Sequence, residues 1–235
     1  MKKLIVTLNV NYSKEITDIT YPYIESYAKK IDADFKVISE RKFHNFPVNI
    51  EKFQLYELSK DYDWTIFIDS DALIHPNCPD LTEVYGKDVV IFNAYDLYPQ
   101  RFKPNNYTRR DKRNIGACTW LTIFSNWTRD IWKPYSDPQK YLDQIHPIHK
   151  ETNFGYNPDH ILDDYLVSRN IAKYGIKVKT VLNDMFSSYA PNKHPLFFIH
   201  EYSISLEEKI KYLSDWDIDI KQDNRRHRKT NSKYM

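Results

Sequence analysis

Short apolar runs alternate with amphipathic stretches through the N-terminal part of the chain. Leu4–Leu8 (LIVTL) has the pattern of a buried strand, and a helical pattern follows from about Thr17 to Ile31, with Tyr23, Tyr27 and Ile31 on one face at i, i+4 spacing. Asp34–Ser39 predicts a second strand and Glu51–Lys60 a second helix, on which Phe53 and Tyr56 share a face. Trp64–Ile68 (WTIFI) is the most apolar strand and ends directly in Asp69-Ser70-Asp71. After a loop with Pro76 and Pro79, Asp88–Phe92 predicts another buried strand. The order β, α, β, α, β, loop, β predicts an α/β fold with a mixed, mostly parallel sheet flanked by helices. Ligands in such sheets gather at the carboxyl ends of the strands.

The second half is less regular. Residues 101–113 form a basic loop, and 114–128 carry no charge and have the pattern of a buried strand with turns. Thr128–Trp132 and Pro158–Tyr174 predict helix, the latter with Ile161, Leu162, Tyr165 and Leu166 on its apolar face. Lys177–Leu182 and Leu196–His200 are candidate strands, and a helix over Leu206–Trp216 closes the fold. Residues 1–220 read as one domain. Residues 221–235 hold six Lys/Arg and a single Asp without apolar positions to pack, the pattern of a disordered basic tail.

Composition narrows the function. Of the 235 residues 41% are hydrophobic and 28% charged, enough to bury a core and stay soluble. A net charge of +2 gives no electrostatic reason to expect a nucleic-acid partner. No apolar run approaches the roughly 18 residues of a transmembrane helix, and the start MKKLIVTLNVNYS lacks the long apolar stretch of a signal peptide. The expected location is therefore the cytoplasm. Two cysteines, Cys78 and Cys118, are too few for a disulfide scaffold or a cysteine zinc cage. The four glycines, Gly86, Gly116, Gly155 and Gly175, are too far apart for a glycine-rich phosphate loop. A bound diphosphate would have to be held by something else, and a metal ion is the natural substitute.

Asp69 and Asp71 supply the means. Two carboxylates at the end of a buried strand are costly unless a cation or hydrogen bonds compensate them. Their spacing lets a tight turn bring one or both onto a hard divalent ion with oxygen ligands. Such an ion bridges a diphosphate and neutralises the charge that grows on it as it leaves. An ordinary solvated acidic turn has the same pattern. Asp159 sits at the start of a predicted helix, where a carboxylate suits the helix dipole as a simple cap or faces a ligand. Asp163 is one turn on and shares its face, whereas Asp164 points elsewhere.

Four segments in order resemble metal-dependent glycosyltransferases of the GT-A fold, closest in pattern to the glycogenin-like enzymes that carry a D-x-D motif. They are Ile5-Val6-Thr7-Leu8-Asn9 with Tyr12; Lys52-Phe53-Gln54-Leu55 leading into Phe67-Ile68-Asp69-Ser70-Asp71-Ala72-Leu73; Asn114-Ile115-Gly116; and Asn157-Pro158-Asp159-His160 followed by Phe197-Phe198-Ile199-His200. The resemblance implies transfer of a sugar from a nucleoside diphosphate, UDP favoured, to a hydroxyl of a glycan or other acceptor. It implies that Asp69, Asp71 and His200 bind Mn²⁺ or Mg²⁺, with His194 as a rival to His200. Thr7, Leu8, Asn9 and Tyr12 would cradle the nucleoside, Lys52 and Ser70 the donor phosphates or ribose, and Asn114 and Gly116 the donor sugar. Asp159 and Asp163 become the candidate catalytic acids, as a general base if the reaction inverts or as sugar ligands if it retains. Lys209 matches a phosphate-binding lysine poorly and reads as a solvated helix charge. The alternatives are a non-catalytic nucleotide-sugar or carbohydrate binder and a phosphatase of the haloacid dehalogenase type. The last fits less well, because Leu73 stands where that motif needs a threonine.

Overall fold

The computed structural model describes residues 1–92, 113, 115–137, 139–141, 158–180, 198–199 and 205–231. Strand β1 (Lys3–Leu8), helix α1 (Lys14–Lys30), β2 (Ala33–Ile38), a 3₁₀ segment (Val48–Gln54) running into a single turn α2 (Leu55–Leu58), and β3 (Trp64–Ile68) form the first half. The short β4 (Leu73–Ile74), β5 (Val89–Phe92), β6 (Leu121–Ser125), a 3₁₀ turn (Arg129–Trp132), another (Pro158–Ile161) leading into α3 (Leu162–Tyr174), β7 (Lys177–Thr180), β8 (Phe198–Ile199) and α4 (Leu206–Asn231) follow.

The main sheet has the order β2-β1-β3-β6-β5-β7. It is mixed and mostly parallel: β1 runs parallel to β2 and β3, and β5 parallel to β7, while β6 is antiparallel to both of its neighbours. The central strands β3, β5 and β6 are buried along their whole length, as expected for strands covered on both faces. Edge strand β2 instead exposes alternate residues. On one face Phe53, Phe67 and Phe124 surround the buried Trp132, with ring centroids 5.6, 6.1 and 6.3 Å from it. These edge-on and tilted rings tie the 3₁₀ segment to the sheet.

A second, smaller apolar cluster (Ile16, Leu73, Leu213, Trp216 and Ile220) fastens α4 across α1 and β4. Tyr23 adds a hydrogen bond to Asp217, 2.7 Å. Ser205 and Glu208 form a reciprocal capping box at the start of α4, with Glu208 Oε2 accepting from the Ser205 N–H at 2.9 Å and Ser205 Oγ accepting from the Glu208 N–H at 3.2 Å. This cap fixes the phase of the helix and therefore the direction of Lys209.

Three elements depart from the sequence reading. The first four residues of the helix expected over Glu51–Lys60 are 3₁₀ and only Leu55–Leu58 is α-helical; Glu51 turns inward to accept the backbone N–H groups of Lys42 and Phe43 at 2.8 and 2.9 Å. A 3₁₀ turn likewise opens the segment read as one helix from Pro158. Helix α4 continues into the stretch read as a disordered tail, with a helical backbone as far as Asn231. Helix α3 stops at Gly175, whose left-handed φ of 64° favours glycine. The basic loop 101–112 lies outside the described residues.

Candidate active site

The parallel pair β1 and β3 ends at one edge of the sheet, and a cavity of about 410 Å³ opens there. Its lining includes Leu8, Val10, Tyr12, Asn49, Lys52, Asp69, Ser70, Asp71, Thr119, His160, Asp163, Asp164 and Lys209.

The outer wall grows from the tip of β3. Asp69 N–H donates to Trp120 O at 2.8 Å, and Ala72 N–H donates to Asp69 O at 3.1 Å, closing a tight turn. Ser70, in the middle, is buried. Its hydroxyl donates to the Leu8 carbonyl and lies 3.1 Å from Thr7 Oγ1, and its carbonyl accepts from Thr20 Oγ1 at 2.5 Å. With the serine tied inward, Asp69 and Asp71 border the cavity. Asp71 Oδ2 pairs with the Lys209 ammonium and accepts from Tyr12 OH at 2.9 Å. Tyr12 is placed by Asn9, whose Oδ1 accepts the Tyr12 N–H at 3.1 Å, and by Asn11, which takes up the left-handed φ of 59° that asparagine tolerates. Burial, then the Asp71 carboxylate, push the Tyr12 phenol well above its ordinary range, so it stays a donor.

The inner wall is assembled from three separate segments. Glu51 anchors the 3₁₀ segment. Burial disfavours its charge, but the N–H groups of Lys42 and Phe43, Gln54 and Arg41 outweigh that and leave its pKa below the usual carboxylate range. The next residue, Lys52, then projects under the cavity. Its ammonium lies 3.1 Å from Asp69 Oδ1, 3.0 Å from Asp163 Oδ2 and 3.2 Å from Thr119 Oγ1, and 5.1 Å from the centroid of the Phe67 ring. Burial opposes this charge, yet the carboxylates of Asp163 and then Asp69 more than compensate and raise the pKa of Lys52. Asn49 Nδ2 donates to Asp163 Oδ1 at 2.7 Å and to the carbonyls of Asp159 and His160 at 2.8 and 3.1 Å. The segment 115–119 docks on α3: Ala117 N–H donates to Ser168 Oγ at 2.8 Å, and Thr119 N–H to Asp164 Oδ1 at 2.9 Å.

Of the residues singled out in the sequence, Leu8, Tyr12, Lys52, Asp69, Ser70, Asp71 and Asp163 border the same cavity. Thr7 is fully buried and supports Ser70 from beneath, Asn9 serves as the bracket of Tyr12, and Gly116 is buried behind the wall; none of the three lines the cavity. Nor does Asp159, which contributes its carbonyl to Asn49. Asn114 and His200 lie outside the described residues, as does His194. Two expectations are corrected. Lys209 is buried on Asp71 rather than solvated, and Asp164 faces the cavity wall rather than pointing elsewhere. Lys209 precedes Leu213, Trp216 and Ile220 at helical spacing, a sequence signal that places it on the packed face of α4. Asn49 and Thr119 stand in no motif that would mark them.

The donor set suits a hard cation in part. Two carboxylates on one turn border the cavity, and each already draws an ammonium, from Lys52 and Lys209. Among the described residues no group of three His, Cys, Asp or Glu side chains converges as a metal centre. Among the described residues, too, no helix is long and apolar enough to cross a membrane.

No family model and no curated protein sequence matches the chain. Solved structures do. A glycosyltransferase involved in the glycosylation of the major capsid of PBCV-1 superimposes with a TM-score of 0.53 at 12% identity, covering 90% of this chain and 98% of that one. The galactosyltransferase LgtC, in complex with donor and acceptor sugar analogs, gives 0.53 at 15% identity, covering 90% and 95%. At this identity the likeness is one of fold: the six-stranded mixed sheet with flanking helices is the architecture of these GT-A-like glycosyltransferases.

Proposed function

We propose that the protein is a glycosyltransferase that moves a sugar from a nucleoside diphosphate, UDP-linked, to a hydroxyl of a glycan or other acceptor. The observation that carries this reading is the cavity at the carboxyl ends of β1 and β3, where two aspartates and two buried lysines meet on a scaffold shared with glycosyltransferases. The UDP preference comes from the family resemblance alone.

Asp69, Asp71 and His200 would hold Mn²⁺ or Mg²⁺, which when bound supplies a Lewis acid against the charge of the departing diphosphate. For His200 the support is β4–β8 pairing: Leu73, two residues past Asp71, is paired with Ile199, the residue before His200. Leu8, Val10 and Tyr12 provide the wall for the nucleoside. Lys209 stands where the diphosphate would sit beside Asp71 and adds a positive charge that does not depend on the ion. Lys52, deeper in the cavity, binds the sugar-side phosphate oxygen or a sugar hydroxyl. Both oxygens of Asp163 already accept donors, from Asn49 and Lys52. That suits it to holding the donor sugar and balancing positive charge at the reacting carbon better than to removing a proton. Asp159 has no part in this scheme.

The test is a panel of nucleotide sugars, with and without Mn²⁺, read by thermal shift, by donor hydrolysis and by transfer to simple sugar acceptors. The expected result is a metal-dependent thermal shift and turnover with a UDP-sugar. A shift without hydrolysis or transfer would favour the non-catalytic binder, and no response to any nucleotide sugar would overturn both.

A further inference from the structure

Thr119 Oγ1 lies 2.6 Å from Asp163 Oδ2, 2.8 Å from Asp164 Oδ1 and 3.2 Å from Lys52 Nζ. A threonine hydroxyl has one proton to give and two lone pairs to receive with. Lys52 can only donate, so it uses a lone pair. The single hydroxyl proton serves one carboxylate fully, and the other oxygen then faces a lone pair, a repulsive contact that a proton of its own turns into a hydrogen bond. Asp163 is built to be the anion: it accepts from the Lys52 ammonium and from Asn49 Nδ2 at 2.7 Å. Asp164 is buried, and besides the contested Thr119 hydroxyl its Oδ1 meets only the Thr119 N–H, at 2.9 Å, among the described residues.

We infer that Asp164 is a neutral carboxylic acid in the resting site, donating to Thr119 Oγ1, and that it acts as a positioning residue for Asp163. The hydroxyl proton of Thr119 is thereby directed to Asp163 Oδ2, which holds that carboxylate against Lys52. Keeping Asp164 neutral also spares the cavity a further negative charge where a diphosphate would bind; this last point rests on the proposed function. Burial and the neighbouring Asp163 carboxylate act in the same direction, pushing the Asp164 carboxyl well above the usual range while Lys52 pulls against them. Lys52 from the 3₁₀ segment and Asp163 from α3 are the charged groups that act on it. The Arg129–Trp132 turn and the residue after it meet α3 lower down, through the carbonyls of Ile131 and Lys133 on Asn170.

The experiment is infrared difference spectroscopy of the ligand-free full chain across pH, on wild type, Asp164→Asn, Asp163→Asn and Thr119→Val. A protonated-carboxyl C=O band should persist at neutral pH in wild type, be lost in Asp164→Asn and titrate away at lower pH in Asp163→Asn, where the carboxylate that helps hold the proton is gone. Thr119→Val, which keeps both acids, should shift that band and keeps the test open if Asp164→Asn does not fold. Absence of the band at neutral pH, its survival in Asp164→Asn, or an unmoved band in Thr119→Val overturns the assignment. Thermal denaturation supplies a second readout. A carboxyl with a raised folded pKa stabilises fully below the ordinary carboxylate range, and that contribution is lost as pH rises through the elevated value. Wild type should show this fall and Asp164→Asn should not; equal pH profiles count against the proposal. UDP affinity should weaken several-fold over the same rise in wild type alone. Failure of UDP to bind at any pH would remove the functional reading and leave the spectroscopic result to decide the proton.

Discussion

The two lysines of the cavity hold their aspartates in different ways. Lys52 is ringed by Asp69, Asp163 and Thr119, with its 3₁₀ segment anchored by four donors on Glu51. Lys209 meets Asp71 and Tyr12 from a helix that docks through a small apolar cluster of its own. The inner lysine is therefore part of the architecture, and its loss strands two carboxylates. The outer one is a local charge that a bound diphosphate can take over from Asp71. A buried ion pair is weak evidence of net stabilisation, but removing one partner is expensive.

Changing each lysine separately sharpens the contrast. Lys52→Met should produce the largest effect, a loss of roughly 3–5 kcal/mol in chemical denaturation, because Asp163 is left buried without its ammonium. A loss below about 1 kcal/mol would mean that the inner wall relaxes or takes up a proton at no cost, and the distinction between the walls would fail. Lys209→Met should cost less in denaturation, since α4 keeps Leu213, Trp216 and Ile220 in place. Its signature is instead about tenfold weaker binding of a nucleoside diphosphate, roughly 1.4 kcal/mol by calorimetry. Unchanged affinity would return Lys209 to a purely structural part.

The same contrast explains what could be read before the structure. The outer wall has a contiguous motif: an apolar strand followed at once by Asp-Ser-Asp leaves little choice about where the carboxylates emerge. The strands and their mixed, mostly parallel sheet were legible for the same reason, from apolar runs of the right length. The inner wall has no such signature, because Lys52, Thr119 and Asp163 come from three distant segments that only the tertiary fold brings together. Helical spacing failed specifically at Asp164. It ranks Asp159 and Asp163 on one face, but the 3₁₀ turn Pro158–Ile161 advances by about three residues per turn rather than 3.6. That shift in phase changes the placement of Asp159 relative to Asp163, and Asp163 and Asp164, neighbours on α3, both meet Thr119. Lys209 reads as a solvated charge because its surroundings match a phosphate-binding lysine poorly, whereas its spacing to Leu213, Trp216 and Ile220 is the relevant clue.

The most direct test of the central claim, that the tip of β3 grips a donor diphosphate through a divalent ion, is calorimetric titration of UDP with and without Mn²⁺ into wild type and Asp71→Asn. Wild type should bind UDP at least tenfold more tightly with Mn²⁺ than without, about 1.4 kcal/mol or more, and Asp71→Asn should lose that difference while remaining folded. Equal affinities with and without Mn²⁺ in wild type, or a Mn²⁺ effect that survives in Asp71→Asn, would contradict it.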